Sequence, residues 1–123
     1  RPSAMADLNL KDMAVRPVPA DGAHAILSRS EAGEAHAERV AKLGGRSSAG
    51  ISSAVKFCLI GRGDADLYPR FGPTCEWDTA AGQAILEAAG GSVTQLDGAP
   101  MIYGKSAAGY LNGPFVARGT PAI

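Results

Sequence analysis

A chain of 123 residues carrying 12 basic and 12 acidic side chains has no net charge and room for one hydrophobic core, so a single domain is its simplest organisation. The even balance speaks against a general nucleic-acid binder, whose affinity is built on phosphate neutralisation. No apolar run approaches the ~20 residues of a membrane span and no signal-peptide pattern opens the chain. Cys58 and Cys75 are too few for a disulfide framework and lack metal-ligand spacing, which predicts reduced thiols in a cytoplasmic protein.

Residues 1–22, with Pro2, Pro17 and Pro19 and no lasting period, predict an irregular N-terminal segment before a domain over 23–123. "AHAILSRS" (23–30) holds a short strand after the turn-forming Asp21-Gly22. Ala32, Ala35, Val40 and Leu43 recur at helical spacing, so 31–43 reads as a helix, with Ser28 and Glu31 as a capping box and Gly44-Gly45 as its stop. "RSSAGI" (46–51) fits a short strand, and 52–61 a second helix capped by Ser52 or Ser53. "ADLYPRF" (65–71) predicts a strand that ends at Pro69 or lies at a sheet edge. A helix over 78–89 precedes a hairpin around Asp97-Gly98 and a final strand in "GPFVARG" (113–119). Alternation of this kind predicts an α/β fold with a mixed sheet of about five strands flanked by helices.

Three charges resist a purely structural reading. Lys56 is surrounded by apolar neighbours from Ala54 to Ile60, so it must either snorkel to solvent or face a polar cavity. Arg70 stands at a strand end, where α/β sheets gather ligands and a guanidinium suits phosphate; the plainer reading is a solvated loop arginine. Asp78 fits a helix cap, yet the small residues of "TAAG" after it invite a close approach by another segment or a ligand. A carboxylate at a helix mouth can also hold a hard cation. Together a lysine, an arginine and an aspartate suit a metal-assisted phosphate site, and the prediction is that all three converge on one edge of the sheet. Asp64 and Asp66 read as a solvated edge, "RGD" (62–64) as a loop, and Tyr68 and Trp77 as core or rim packing.

The run "SSAVKFCLIGRGDADLYPRFGPTCEWDTAAGQAILEAAGG", with "YGK" and "LNGPFVARG" after it, resembles the C-terminal half of CysQ-type 3'(2'),5'-bisphosphate nucleotidases of the inositol monophosphatase-like superfamily. The similarity covers roughly residues 23–119. It implies the C-terminal domain of a layered α/β/α/β sandwich. It also implies magnesium-dependent removal of the 3'-phosphate from adenosine 3',5'-bisphosphate, a by-product of sulfur assimilation. On this resemblance Asp78 of "WDTAAG" is a metal ligand close to the substrate. Ser53, Lys56 and Arg70, with Asp78, are substrate-binding.

Two departures matter. Where the family has a histidine after Ser-Arg-Ser, this chain has Glu31; His36 is five residues later and is expected as an exposed helix residue. The family's acidic "DPIDGT"-like motif and N-terminal glutamate do not occur in the 123 residues, so no complete catalytic set is expected in this chain. The missing N-terminal domain becomes an implied partner, and the apolar face it would cover predicts self-association. Two functions follow: part of a nucleotidase, inactive alone, or a non-catalytic domain binding a nucleotide phosphate or a protein. An inositol- or sugar-phosphate phosphatase is the related enzyme alternative.

Overall fold

Ala23–Leu27 is buried at four of its five positions, and the alternation of its side chains explains the layers of the molecule. Successive strand residues face opposite sides of a sheet. Ile26 packs into one core cluster with Phe57, Ile60, Tyr68, Leu86, Val93, Phe115 and Ala117. Ala23, Ala25 and Leu27 pack on the other side with Val40, Leu67 and Val116. A strand apolar on both faces belongs in a sheet covered on both sides, and helices supply the cover. This computed structural model describes residues 13–29, 31, 36–50 and 55–119.

The strands are β1 (Ala23–Leu27), β2 (Gly45–Gly50), β3 (Leu67–Arg70), β4 (Thr74–Cys75), β5 (Ser92–Gln95), β6 (Leu111–Asn112) and β7 (Phe115–Arg118). Five form one mixed sheet in the order β2-β1-β3-β7-β5, with β1 parallel to β2 and β3, and β7 antiparallel to β3 and β5. β4 and β6 make a separate two-stranded ribbon. The α-helices are α1 (Ala37–Lys42), α2 (Val55–Gly61) and α3 (Glu76–Ala88). α2 and α3 bring Phe57, Ile60 and Leu86 to one face of the sheet, and α1 brings Val40 to the other. The expected mixed five-stranded sheet flanked by helices is therefore present.

Several local expectations are corrected. β3 lies at the centre of the sheet and not at an edge, and it continues one residue beyond the buried Pro69. A proline is tolerated there because β1 pairs with β3 only at Ala25↔Leu67, so no β1 ladder runs alongside Pro69. The hairpin at Asp97-Gly98 is a tight turn with one bridge, Thr94↔Pro100, and not two paired strands. Pro100 has no N–H to extend that ladder, and the Gly104 and Lys105 amides are spent on Glu76. Asp66 is buried and not solvated: it accepts hydrogen bonds from Arg16 Nε at 2.8 Å, Arg16 Nη2 at 2.9 Å and the His24 amide at 2.8 Å. Burial pushes its carboxyl up, but the guanidinium and the amide together hold it below its ordinary value. Through this pair, and a Val15 amide bond to the Ala89 carbonyl, the strandless residues 13–22 are sewn onto the domain.

Candidate functional site

α3 starts two residues earlier than its periodicity suggests, and that changes the part Asp78 plays. Cys75 is the N-cap, and Asp78, in the first turn, reaches back to accept the Cys75 amide at 2.9 Å through Oδ2. The carboxylate thus lies where the helix dipole favours negative charge. It is exposed, at the mouth of a cleft of about 290 Å³ lined by Ser28, Phe57, Tyr68, Arg70, Thr74, Trp77 and Asp78. The close approach allowed by "TAAG" is made by the neighbouring helix. A Cβ at Gly82 would stand 2.3 Å from Cδ2 of Phe57, so glycine is what lets α2 seat its ring beside Tyr68 and Phe115.

Arg70 lines the same cleft from the end of β3, and Lys56 lies beside it. Lys56 does not snorkel: it is 3% exposed, with Nζ 5.0 Å above the Tyr68 ring. Desolvation, and then the positive charge of Arg70, lower its pKa. Tyr68 is 5% exposed and forms core, and burial raises its hydroxyl pKa; Trp77 stands on the rim, 71% exposed. Three of the four expected substrate-binding residues, Lys56, Arg70 and Asp78, are thus brought to one region. Ser53 lies outside the described residues.

Glu31 takes a place that local patterning does not predict. The capping box with Ser28 is not made, because residue 31 is in a turn and its carboxylate is spent elsewhere; of the expected helix over 31–43, α1 is described over Ala37–Lys42, and residues 32–35 lie outside the described residues. The Glu31 carboxylate, 7% exposed, instead accepts the Phe71 amide at 3.1 Å and the Gly72 amide at 2.6 Å, and faces Arg70 Nε at 3.8 Å. His36 is not an exposed helix residue. It precedes α1, half-buried, and stacks on Phe71 with centroids 5.0 Å apart, while Arg39 lies 4.8 Å from the same ring.

A model of the inositol monophosphatase family matches residues 12–117. The chain belongs to that family. Within it, the 3'(2'),5'-bisphosphate nucleotidase CysQ of Escherichia coli K12 is 47% identical over 78 residues, 63% of this chain and 32% of that protein. CysQ of Buchnera aphidicola is 41% identical over 93 residues, 75% of this chain and 35% of that protein. The crystal structure of CysQ from Bacteroides thetaiotaomicron, a bacterial member of the inositol monophosphatase family, superposes with a TM-score of 0.66 at 34% identity, covering 86% of this chain and 41% of that one. This chain spans about a third of the length of the two CysQ relatives.

A polar network that sequence reasoning missed sets α3 in place for this family member. Glu76 accepts the Gly104 amide at 2.7 Å, the Lys105 amide at 2.9 Å and the Lys105 ammonium at 3.0 Å. The Gly104 amide, working against burial, leads the contacts that hold its carboxyl below the ordinary range. Buried Asn112 donates to Thr74 Oγ1, the Cys75 carbonyl and Thr79 Oγ1 at 3.1–3.2 Å. Thr79 Oγ1 also lies 3.0 Å from the Tyr103 hydroxyl. "YGK" and "LNG" mark both ends of this network, but nothing in their spacing pairs them with Glu76.

Among the described residues no three His, Cys, Asp or Glu side chains converge as a metal site. Among the described residues Asp78 is the one carboxylate lining the cleft, so these residues do not by themselves fit a magnesium pair. No described helix is long and apolar enough to cross a membrane.

Proposed function

We propose that this chain is the substrate-facing part of a 3'(2'),5'-bisphosphate nucleotidase that removes the 3'-phosphate of adenosine 3',5'-bisphosphate. The observation that carries the reading is the meeting of Arg70 and Asp78 on one cleft, with Lys56 beside them, in a chain similar to proteins named CysQ. The cations would hold phosphate, the guanidinium by its paired donors and the ammonium as a buried point charge. Ser53 is proposed as a further substrate contact. Asp78 would supply one ligand to magnesium, an ion whose charge offsets that of a transferring phosphoryl group. The remaining carboxylates would belong to an N-terminal domain, and the whole enzyme would serve sulfur assimilation in the cytoplasm.

The test is an assay of the purified 123 residues with adenosine 3',5'-bisphosphate and magnesium. No phosphate release is expected from them alone. Release should appear with a longer chain, or a complementing fragment, that carries the acidic motif. In that complete enzyme Asp78→Asn should lower turnover by about 100-fold or more, since an amide is a poor magnesium ligand. Arg70→Ala should chiefly raise KM. Hydrolysis by the short chain, abolished by a chelator and by Asp78→Asn, would overturn the division of labour. A second reading is a non-catalytic domain that binds a nucleotide phosphate through the same cleft of Arg70 and Asp78. It gains ground if the complemented enzyme binds the nucleotide without turning it over.

A further inference from the structure

The Phe71 and Gly72 amides and the Arg70 guanidinium are donors aimed at one spot, and that spot is filled by the chain's own carboxylate. Two successive backbone N–H groups beside a guanidinium make an anion-binding concavity. Gly72 leaves room on this side: a Cβ there would stand 3.2 Å from Glu31 Oε2 and 4.0 Å from Arg70 Nη2. The position of the concavity is fixed by Phe71, whose ring is held by His36 and Arg39. The fit of Glu31 is incomplete on the guanidinium side. Arg70 Nε is buried, 3.8 Å from Glu31 Oε1, and has no hydrogen-bond acceptor among the described residues. A buried N–H left in this way is costly, and an acceptor that reached it would be favoured.

We infer that Glu31 is a tethered competitor for a tetrahedral oxyanion, occupying an anion site built from Arg70, Phe71 and Gly72 and so setting which phosphate-bearing ligands the adjoining cleft accepts. A carboxylate satisfies both amides but leaves Arg70 Nε short; a phosphate or sulfate group has enough oxygens to bind all three donors. While Glu31 stays, a ligand with a second phosphate at this end meets a like charge, so the bisphosphate of the proposed reaction gains its full Arg70 contact only as Glu31 gives way. A ligand with its only phosphate at the Asp78 end meets none from Glu31. The inference deepens the proposed reading of the cleft but rests on anion binding alone, so it can fail or stand whether or not the enzyme hydrolyses a nucleotide.

Inorganic phosphate titrated at constant ionic strength, followed through the amide resonances of Phe71 and Gly72, tests it. The unaltered protein should show weak binding at these amides. Glu31→Gln should bind phosphate about tenfold more tightly, the effect of removing one like charge from a partly desolvated site. Glu31→Ala, which leaves both amides to water or ligand, should show the same gain and serves if the Gln variant is poorly folded. Adding Arg70→Ala to either variant should abolish the gain. Glu31→Asp, which keeps the charge on a shorter arm, should show none. A folded Glu31→Gln or Glu31→Ala protein that binds phosphate no better than the parent would overturn the inference and leave Glu31 as a loop staple. An equal gain in Glu31→Asp would overturn it too, by tracing the effect to loosened structure.

Discussion

Asp66 is a single carboxylate on which two distant parts of the chain depend, since Arg16 and the start of β1 meet on it. Its pKa is depressed in the folded state, so its stabilisation is fully present above the unfolded carboxyl value, about pH 4, and is lost as the pH falls through the lower folded value. The unfolding midpoint should therefore fall on acidification below about pH 4, and an Asp66→Asn protein should lose that part of the dependence. At neutral pH the substitution should cost about 2–3 kcal/mol in denaturant unfolding, because it removes the buried charge that accepts two hydrogen bonds from Arg16 and one from the His24 amide. An Asn variant as stable as the parent would mean that the Asp66 charge adds nothing net to folding. Asp78 contrasts with it: its carboxylate is exposed, and Asp78→Asn should change unfolding by less than about 1 kcal/mol. A large loss there would make Asp78 a structural residue first.

Among the elements, α2 and α3 carry the tightest fit. Gly82→Ala should gain up to about 1 kcal/mol in helix propensity, yet the new methyl has no room against the Phe57 ring. Overpacking of this kind costs about 1–3 kcal/mol, so a net loss is expected in thermal unfolding, partly recovered by Phe57→Leu in the same chain. A Gly82→Ala protein more stable than its parent would show that the helices can slide apart freely. The same pair shows why parts of the fold were legible and others were not. Helix α3 was plain from its period and its terminal glycines, and β1, β3 and β7 from short apolar runs, because those signals are local. The true start of α3 was missed because Glu76 is anchored by amides 28 and 29 residues away. Glu31 was misassigned for a like reason: its best donors are 40 and 41 residues distant, and a local capping pattern loses to two amides and a guanidinium. Lys56, Arg70 and Asp78 could be suspected as awkward charges, but only the fold sets two of them, Arg70 at the end of β3 and Asp78 in the first turn of α3, on one cleft.

For the whole molecule the question is what covers its outer surface around the first turn of α3. Trp77 is 71% exposed, Ile102 61%, Leu111 49% and Tyr110 45%. Hydrogen bonds tie their neighbourhoods together: the Glu76 amide donates to the Tyr110 carbonyl at 2.8 Å, Cys75 pairs with Leu111, and the Lys105 ammonium, paired with Glu76, donates to the Ile102 carbonyl. Single exposed apolar side chains are ordinary, whereas several large ones around a common element mark a surface that gains by being covered. β2 and β5 also end the main sheet as unpaired edges among the described strands, which offers backbone donors and acceptors to a second chain. The purified 123 residues should therefore bind a hydrophobic dye and associate with rising concentration in sedimentation velocity. Replacing Trp77 by Ser and Leu111 by Lys together should cut dye binding by at least half, because one removes the most exposed ring and the other exchanges an exposed apolar side chain for a charge. Val18, 44% exposed in the N-terminal segment and not bonded to these residues, gives the control: Val18→Ser should leave both readouts near the parent's. If the parent sediments as a monomer at every concentration and binds no dye, the exposed side chains are the ordinary apolar share of a protein surface and do not mark a face that must be covered.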